Sequence, residues 1–90
     1  MSYEAYLRPR AENFLKKADK VLKDQIIAKL SELENLPKQK GERLKGSPFW
    51  KVRIGDYRAI YDIDEPAQKI YVLCIGHRKN VYDDMSKMLI

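Results

Sequence analysis

The chain has 90 residues, 18 of them Lys or Arg and 13 Asp or Glu, for a net charge of +5. This length supports one core and excludes a two-domain enzyme with a cleft between its halves, so residues 1–90 read as a single domain. One cysteine and one histidine exclude an intrachain disulfide, a cysteine cluster and a multi-histidine zinc site.

The elements follow in chain order. Tyr3 to Leu7 is a short aromatic-rich segment that predicts a first strand, and Pro9 suits a helix start. From Arg10 apolar residues recur every three or four positions, at Phe14, Leu15, Ala18, Val21, Leu22, Ile26, Leu30 and Leu33. That period predicts an amphipathic helix or a helical hairpin. Asp19 can cap a second helix, which favours a break near Ala18 and Asp19. The pattern stops at Leu36, because Pro37 disfavours helix at the residue before it. Lys38 to Pro48 is a basic connection punctuated by Gly and Pro. Phe49–Ile54, Tyr57–Ile63 and Lys69–Ile75 are aromatic and β-branched and predict three strands, the first two joined by a tight turn at Gly55 and Asp56. The segment from Asp83 to Ile90 reads as a short helix or a loose tail. The order β-α-α-β-β-β predicts an α+β fold, an antiparallel sheet with the helical hairpin packed on one face and the other face open.

Charge is unevenly spread. Residues 38–58 hold seven basic residues (Lys38, Lys40, Arg43, Lys45, Lys51, Arg53, Arg58) against Glu42 and Asp56, so the whole excess lies there. Such a stretch is the footprint of a polyanion partner or a solvated lysine-rich surface. Strand alternation sharpens it. With a two-residue turn, Ile54 pairs with Tyr57, Arg53 with Arg58, Val52 with Ala59 and Trp50 with Tyr61. Trp50, Val52, Ile54, Tyr57, Ala59 and Tyr61 then face the core, while Arg53 faces Arg58 on the open side with Lys51 beside them. Like charges across a ladder are destabilising by up to about 1 kcal/mol. Two guanidinium groups so placed suit a phosphate, unless each finds a carboxylate such as Asp56 or Asp62. The third predicted strand runs into Gly76-His77-Arg78-Lys79, adding donors at a strand end. Cys74 reads as a buried small apolar residue. No glycine-rich phosphate loop, metal-ligand spacing or serine–histidine pairing appears, and neither metal nor cofactor is expected.

Two blocks carry a resemblance. Trp50-Lys51-Val52-Arg53-Ile54-Gly55-Asp56-Tyr57-Arg58-Ala59-Ile60-Tyr61 and Gly76-His77-Arg78-Lys79-Asn80-Val81-Tyr82, preceded by Leu44-Lys45-Gly46, resemble the RelE/ParE toxin superfamily, and its RelE branch most. The length and element order fit as well. The resemblance implies the toxin of a type II toxin–antitoxin pair that cuts messenger RNA in the ribosomal A site without metal and is neutralised by a small antitoxin. It implies a catalytic set of Lys51, Arg53, Arg58, Arg78 and Tyr82, with Lys45 a basic residue on the approach to the sheet; Arg43, His77 and Lys79 are read from the charge pattern as further substrate contacts. Three departures stand out. Arg53 occupies a position where the best-studied type of member has lysine, which shifts a role as base toward Lys51. His77 stands where some members have lysine, and the segment after Tyr82 is longer than in many relatives. ParE-like members share the fold, lack the RNase set and inhibit DNA gyrase; a non-catalytic RNA-binding module is a third reading. The expected partners are ribosome-bound mRNA and an antitoxin acidic where it covers the basic face. No signal peptide or membrane span is read, so the expected location is the cytoplasm.

Overall fold

The computed structural model describes residues 2–81. Its elements are β1 (Glu4–Leu7), α1 (Pro9–Lys17), α2 (Lys20–Asn35), β2 (Glu42–Arg43), β3 (Trp50–Ile54), β4 (Tyr57–Asp64) and β5 (Lys69–His77), with the strands in the order β1-β5-β4-β3-β2. The α+β architecture and the helical hairpin agree with the sequence reading. Two details differ. β1 runs parallel to β5, so the sheet is antiparallel only from β2 to β5. The short strand β2 arises within the segment read as a connection. There Leu44 and Phe49 close a hairpin, the Leu44 N–H donating to the Phe49 carbonyl at 2.9 Å. A turn over Lys45 and Gly46 permits this, with Gly46 at φ 78° as the third residue of a type II turn requires.

Local chemistry sets the helix limits. Pro9 opens α1, whose missing N–H would have had no partner there. The chain turns extended at Ala18, and the Asp19 carboxylate accepts from the Leu22 N–H at 2.8 Å to start α2. The apolar faces of both helices cover one side of the sheet. Ala11, Ile26 and Leu33 meet Val52, Ile54, Ala59, Tyr61, Ile70, Val72 and Ile75 there, all buried. Each large aliphatic side chain so buried stabilises the fold by about 1.5–3 kcal/mol.

The hairpin register is the one alternation predicted: Arg53 opposite Arg58, Val52 opposite Ala59, Trp50 opposite Tyr61. Gly55 sits at φ 61° while Asp56 does not have positive φ, the pattern of a type II′ turn. The β4–β5 ladder is less regular. Tyr61 pairs with Val72 but Ile60 with Cys74, leaving Leu73 as an extra, bulged residue. The bulge inverts the alternation of β5. Val72 and Ile75 both face the helices, and Cys74 falls on the other side. A second small cluster forms there, with Ile60, Cys74 and Val81 buried beneath Leu44, Phe49 and Leu73. The open face therefore has a covered apolar strip across its middle, and Cys74 is buried as expected.

Among the described residues Tyr61 is the largest fully buried side chain, and its hydroxyl donates to the Pro37 carbonyl at 2.6 Å. Burial pushes its phenol up to about 12. The group is neutral in both folded and unfolded chains below pH 10. Between about pH 10 and 12 the unfolded chain loses the proton first, so stability falls as pH rises, by roughly 2–3 kcal/mol across the window. Urea titrations at pH 9 and pH 11.5 are expected to show this loss in the wild type, and a smaller one in Tyr61→Phe.

Among the described residues no helix is long and apolar enough to cross a membrane.

Candidate functional site

β3 and β4 bring three of the predicted cations together because a two-residue turn fixes their register. Lys51, Arg53 and Arg58 line one groove of about 400 Å³, with Val52 and the segment Gln39, Lys40, Gly41 and Glu42 as its wall. Arg53 and Arg58 are Cα partners, so their Cβ atoms lie about 5 Å apart. Arg53 is exposed, and its Nε donates to the Gly55 carbonyl at 2.8 Å, which folds the side chain back toward the turn. The Lys51 side chain is 26% exposed and has Glu42 Oε2 at 3.8 Å. On β5, the Cα partner of Arg58 is Gly76, which contributes no side chain of its own to the face.

The remaining predicted residues lie around this groove rather than in its lining. Arg78 is exposed beside the hairpin turn, its N–H donating to the Asp56 carbonyl at 3.1 Å. That bond ties the end of β5 to the same turn that positions Arg53. Lys79 is exposed one residue on. Lys45 is exposed at the apex of its own turn. Arg43 lies over the Trp50 ring, 5.7 Å from its centroid, and its Nε reaches the Ser47 carbonyl at 3.4 Å. His77 goes elsewhere. The inverted phase of β5 makes it the partner of Tyr57, and the two rings meet edge to face at 5.7 Å. Tyr57 in turn meets Phe14 of α1 at 5.6 Å, so His77 belongs to an aromatic row on the helix-bearing side. Its Nδ1 accepts from the Lys79 N–H at 3.3 Å. Tyr82 and the segment 83–90 lie outside the described residues.

The four residues of the groove wall, Gln39, Lys40, Gly41 and Glu42, escaped the sequence reading as site members. Their only signal was position inside the basic run. What brings them to β3 is the pairing of Glu42 with Lys51, together with the bond from Tyr61 to Pro37, a contact between residues 24 positions apart. Among the described residues no group of His, Cys, Asp or Glu could hold a metal ion.

Chemically, the groove offers positive charge from Lys40, Lys51, Arg53 and Arg58 and one nearby carboxylate, Glu42. Guanidinium groups present flat forks that match phosphate oxygens. The arrangement suits a phosphodiester held by its non-bridging oxygens.

The family model described as the ParE toxin of the type II toxin–antitoxin system parDE matches residues 5–82. The fold is that of several solved toxins. A double mutant of Escherichia coli RelE in the free state superposes with a TM-score of 0.81 at 23% identity, over all of both chains. The archaeal RelE–RelB complex from Pyrococcus horikoshii gives 0.74 at 22% identity, over 87% of this chain and 97% of that one. The YoeB/ParE toxin from Agrobacterium tumefaciens gives 0.71 at 19%, over 83% and 98%. At these identities the likeness is one of fold. No curated protein is significantly similar in sequence.

Proposed function

Since the chain belongs to the ParE toxin family of type II toxin–antitoxin systems, within the RelE/ParE superfamily, we propose that it is a toxin of the RNA-cleaving kind, a cytoplasmic endoribonuclease acting on mRNA in the ribosomal A site. The observation that carries this reading is the shared groove of Lys51, Arg53 and Arg58. Three cations converge on one face where a fold by itself gains nothing from Arg53 standing opposite Arg58.

The reaction needs no water in its first step. The 2′-oxygen of the substrate attacks the adjacent phosphorus, the bond from phosphorus to the 5′-oxygen breaks, and a 2′,3′-cyclic phosphate and a 5′-hydroxyl result. Lys51 activates the 2′-hydroxyl, as base or through its positive charge. Arg53 and Arg58 hold the non-bridging oxygens as charge builds on them. Arg78 stabilises the departing 5′-oxygen, and Tyr82 stacks on a base. Arg43, Lys45 and Lys79 hold the RNA backbone on either side. His77 has no part in this assignment, since its ring packs on Tyr57. No group in the set is a strong base, which suits dependence on the ribosome for orientation; orientation alone supplies several kcal/mol. The partner that silences the toxin is a small antitoxin with an acidic segment over the groove; the archaeal relative was solved with its antitoxin RelB.

Primer extension on a defined message in a purified translation system tests the reading. Cuts at A-site codons are expected with ribosomes and not on the same message alone, and they are expected to vanish in Arg58→Ala. Absence of cuts in every lane, together with inhibition of gyrase supercoiling, would overturn the RNA-cleaving reading in favour of a gyrase-directed toxin.

A further inference from the structure

The half of the open face farthest from the Gly55–Asp56 turn carries the opposite chemistry. Cα partners form rows across three strands there: Tyr6, Tyr71 and Asp62 in one, Glu4, Lys69 and Asp64 in the next. Alternation sends these side chains away from Ile70 and Val72, which sit in the helix-side core. Three carboxylates stand against one ammonium, in a chain whose net charge is +5. Tyr6 and Tyr71 stack with centroids 6.0 Å apart and ring planes 27° apart, and Tyr6 is 41% exposed. The Tyr6 hydroxyl donates to Glu4 at 2.9 Å, which fixes the ring edge. A cation already visits this surface: Nζ of Lys69 lies 5.4 Å from the Tyr6 centroid. The Asp62 carboxylate, beside Tyr71, makes no hydrogen bond or ion pair among the described residues.

We propose that the Tyr6–Tyr71–Asp62 row is a docking site for a protein segment that presents an arginine. A guanidinium is flat, weakly hydrated and always charged. It stacks on an aromatic face and forms two parallel hydrogen bonds with a carboxylate. Both elements stand side by side here, and the surrounding carboxylates attract the same charge. They also argue against nucleic acid, whose phosphates would lie among Glu4, Asp62 and Asp64. The sheet face is thereby divided, with an anion-binding groove at the hairpin end and a cation-binding aromatic patch at the β1 end. The patch holds whether or not the groove cleaves RNA.

The test is a nuclear magnetic resonance titration of the full chain with three probes: a glycine/serine hexapeptide carrying two arginines, its lysine counterpart, and an oligouridylate of similar length. The arginine peptide is expected to shift the Tyr6 and Tyr71 ring resonances and to bind several times more tightly than the lysine peptide. Asp62→Asn is expected to weaken it by about tenfold, as loss of one charge-assisted pair does. Tyr71→Ala is expected to act in the same direction, and Arg58→Ala to leave binding within twofold of wild type. Equal affinity for the two peptides, no response to Asp62→Asn, or ring shifts with the oligouridylate alone would each overturn the proposal, the last by making the patch a base-stacking surface. Because Asp62 is outside the core, Asp62→Asn keeps the test decisive even if Tyr71→Ala fails to fold.

Discussion

Arg53→Ala is expected to slow cleavage of ribosome-bound message by about 10²–10³-fold, as removal of one donor to a developing oxyanion does, while leaving stability within about 1 kcal/mol of the wild type. The two halves of this expectation have separate causes. In the folded chain the Arg53 Nε donates to the Gly55 carbonyl at the surface. A bond of that kind contributes about 0.5–1.5 kcal/mol. Its removal is offset by relief of the repulsion from Arg58 across the ladder, worth up to about 1 kcal/mol. On the substrate side the proposed clamp has nothing to offset the loss, because neither Lys51 nor Arg58 would replace the fork that Arg53 gives the phosphate. Arg53→Lys keeps the charge but not the fork, and its rate is expected to fall between the two. Single-turnover cleavage on programmed ribosomes and thermal melts of the same preparations check both halves. A variant that unfolds early, or one that cleaves at the wild-type rate, would remove Arg53 from the clamp.

How far the sequence carries is clearest at this hairpin. Its register follows from a two-residue turn and strict alternation, so the pairing of Arg53 with Arg58 is legible without coordinates. The caps at Pro9 and Asp19 are legible for a similar reason, since the residues that set them lie within one helical turn. What alternation misses is Leu73. One extra residue in β5 moves Cys74 to the open face and His77 to the helix side. Nothing in the run Lys69–His77 marks that residue, because every position from Ile70 to Ile75 is apolar or aromatic and either phase buries well. The direction of β1 was illegible for another reason. A strand four residues long pairs parallel or antiparallel with equal ease, and the choice is made by α1 and α2 carrying the chain across the sheet. The groove wall is likewise a long-range product. Gln39, Lys40 and Glu42 read as loop residues until Glu42 pairs with Lys51 and Tyr61, midway along β4, holds Pro37.

That last contact leads to the second large effect. Gly41→Ala is expected to destabilise the fold by about 3 kcal/mol, the upper end for overpacking at a tight site. A Cβ at Gly41 would run into the Tyr61 hydroxyl and ring and would lie 2.9 Å from the Lys51 carbonyl. Neither neighbour can retreat cheaply. Tyr61 is fully buried and bonded to Pro37, and Lys51 is fixed in the β3 ladder. The chain must instead lift away from β3, which takes Lys40 and Glu42 off the groove and leaves the Pro37 carbonyl without its donor. Tyr61→Phe alone is expected to cost about 1–2 kcal/mol through that unsatisfied carbonyl. In the double variant the nearest obstruction is gone, so the total is expected to fall short of the sum by about 1–2 kcal/mol, as it does for residues in direct contact. The cost of the new methyl group is not expected to vanish in the double variant, because the Lys51 carbonyl and the ring at position 61 still crowd it. Urea unfolding of the four proteins measures the cycle. A neutral Gly41→Ala would mean that the segment 37–42 does not lie against Tyr61, and strictly additive losses would mean that the two residues do not touch. Either result would detach Gln39 and Lys40 from the groove and leave Glu42, which pairs with Lys51 in β3, as what remains of its wall.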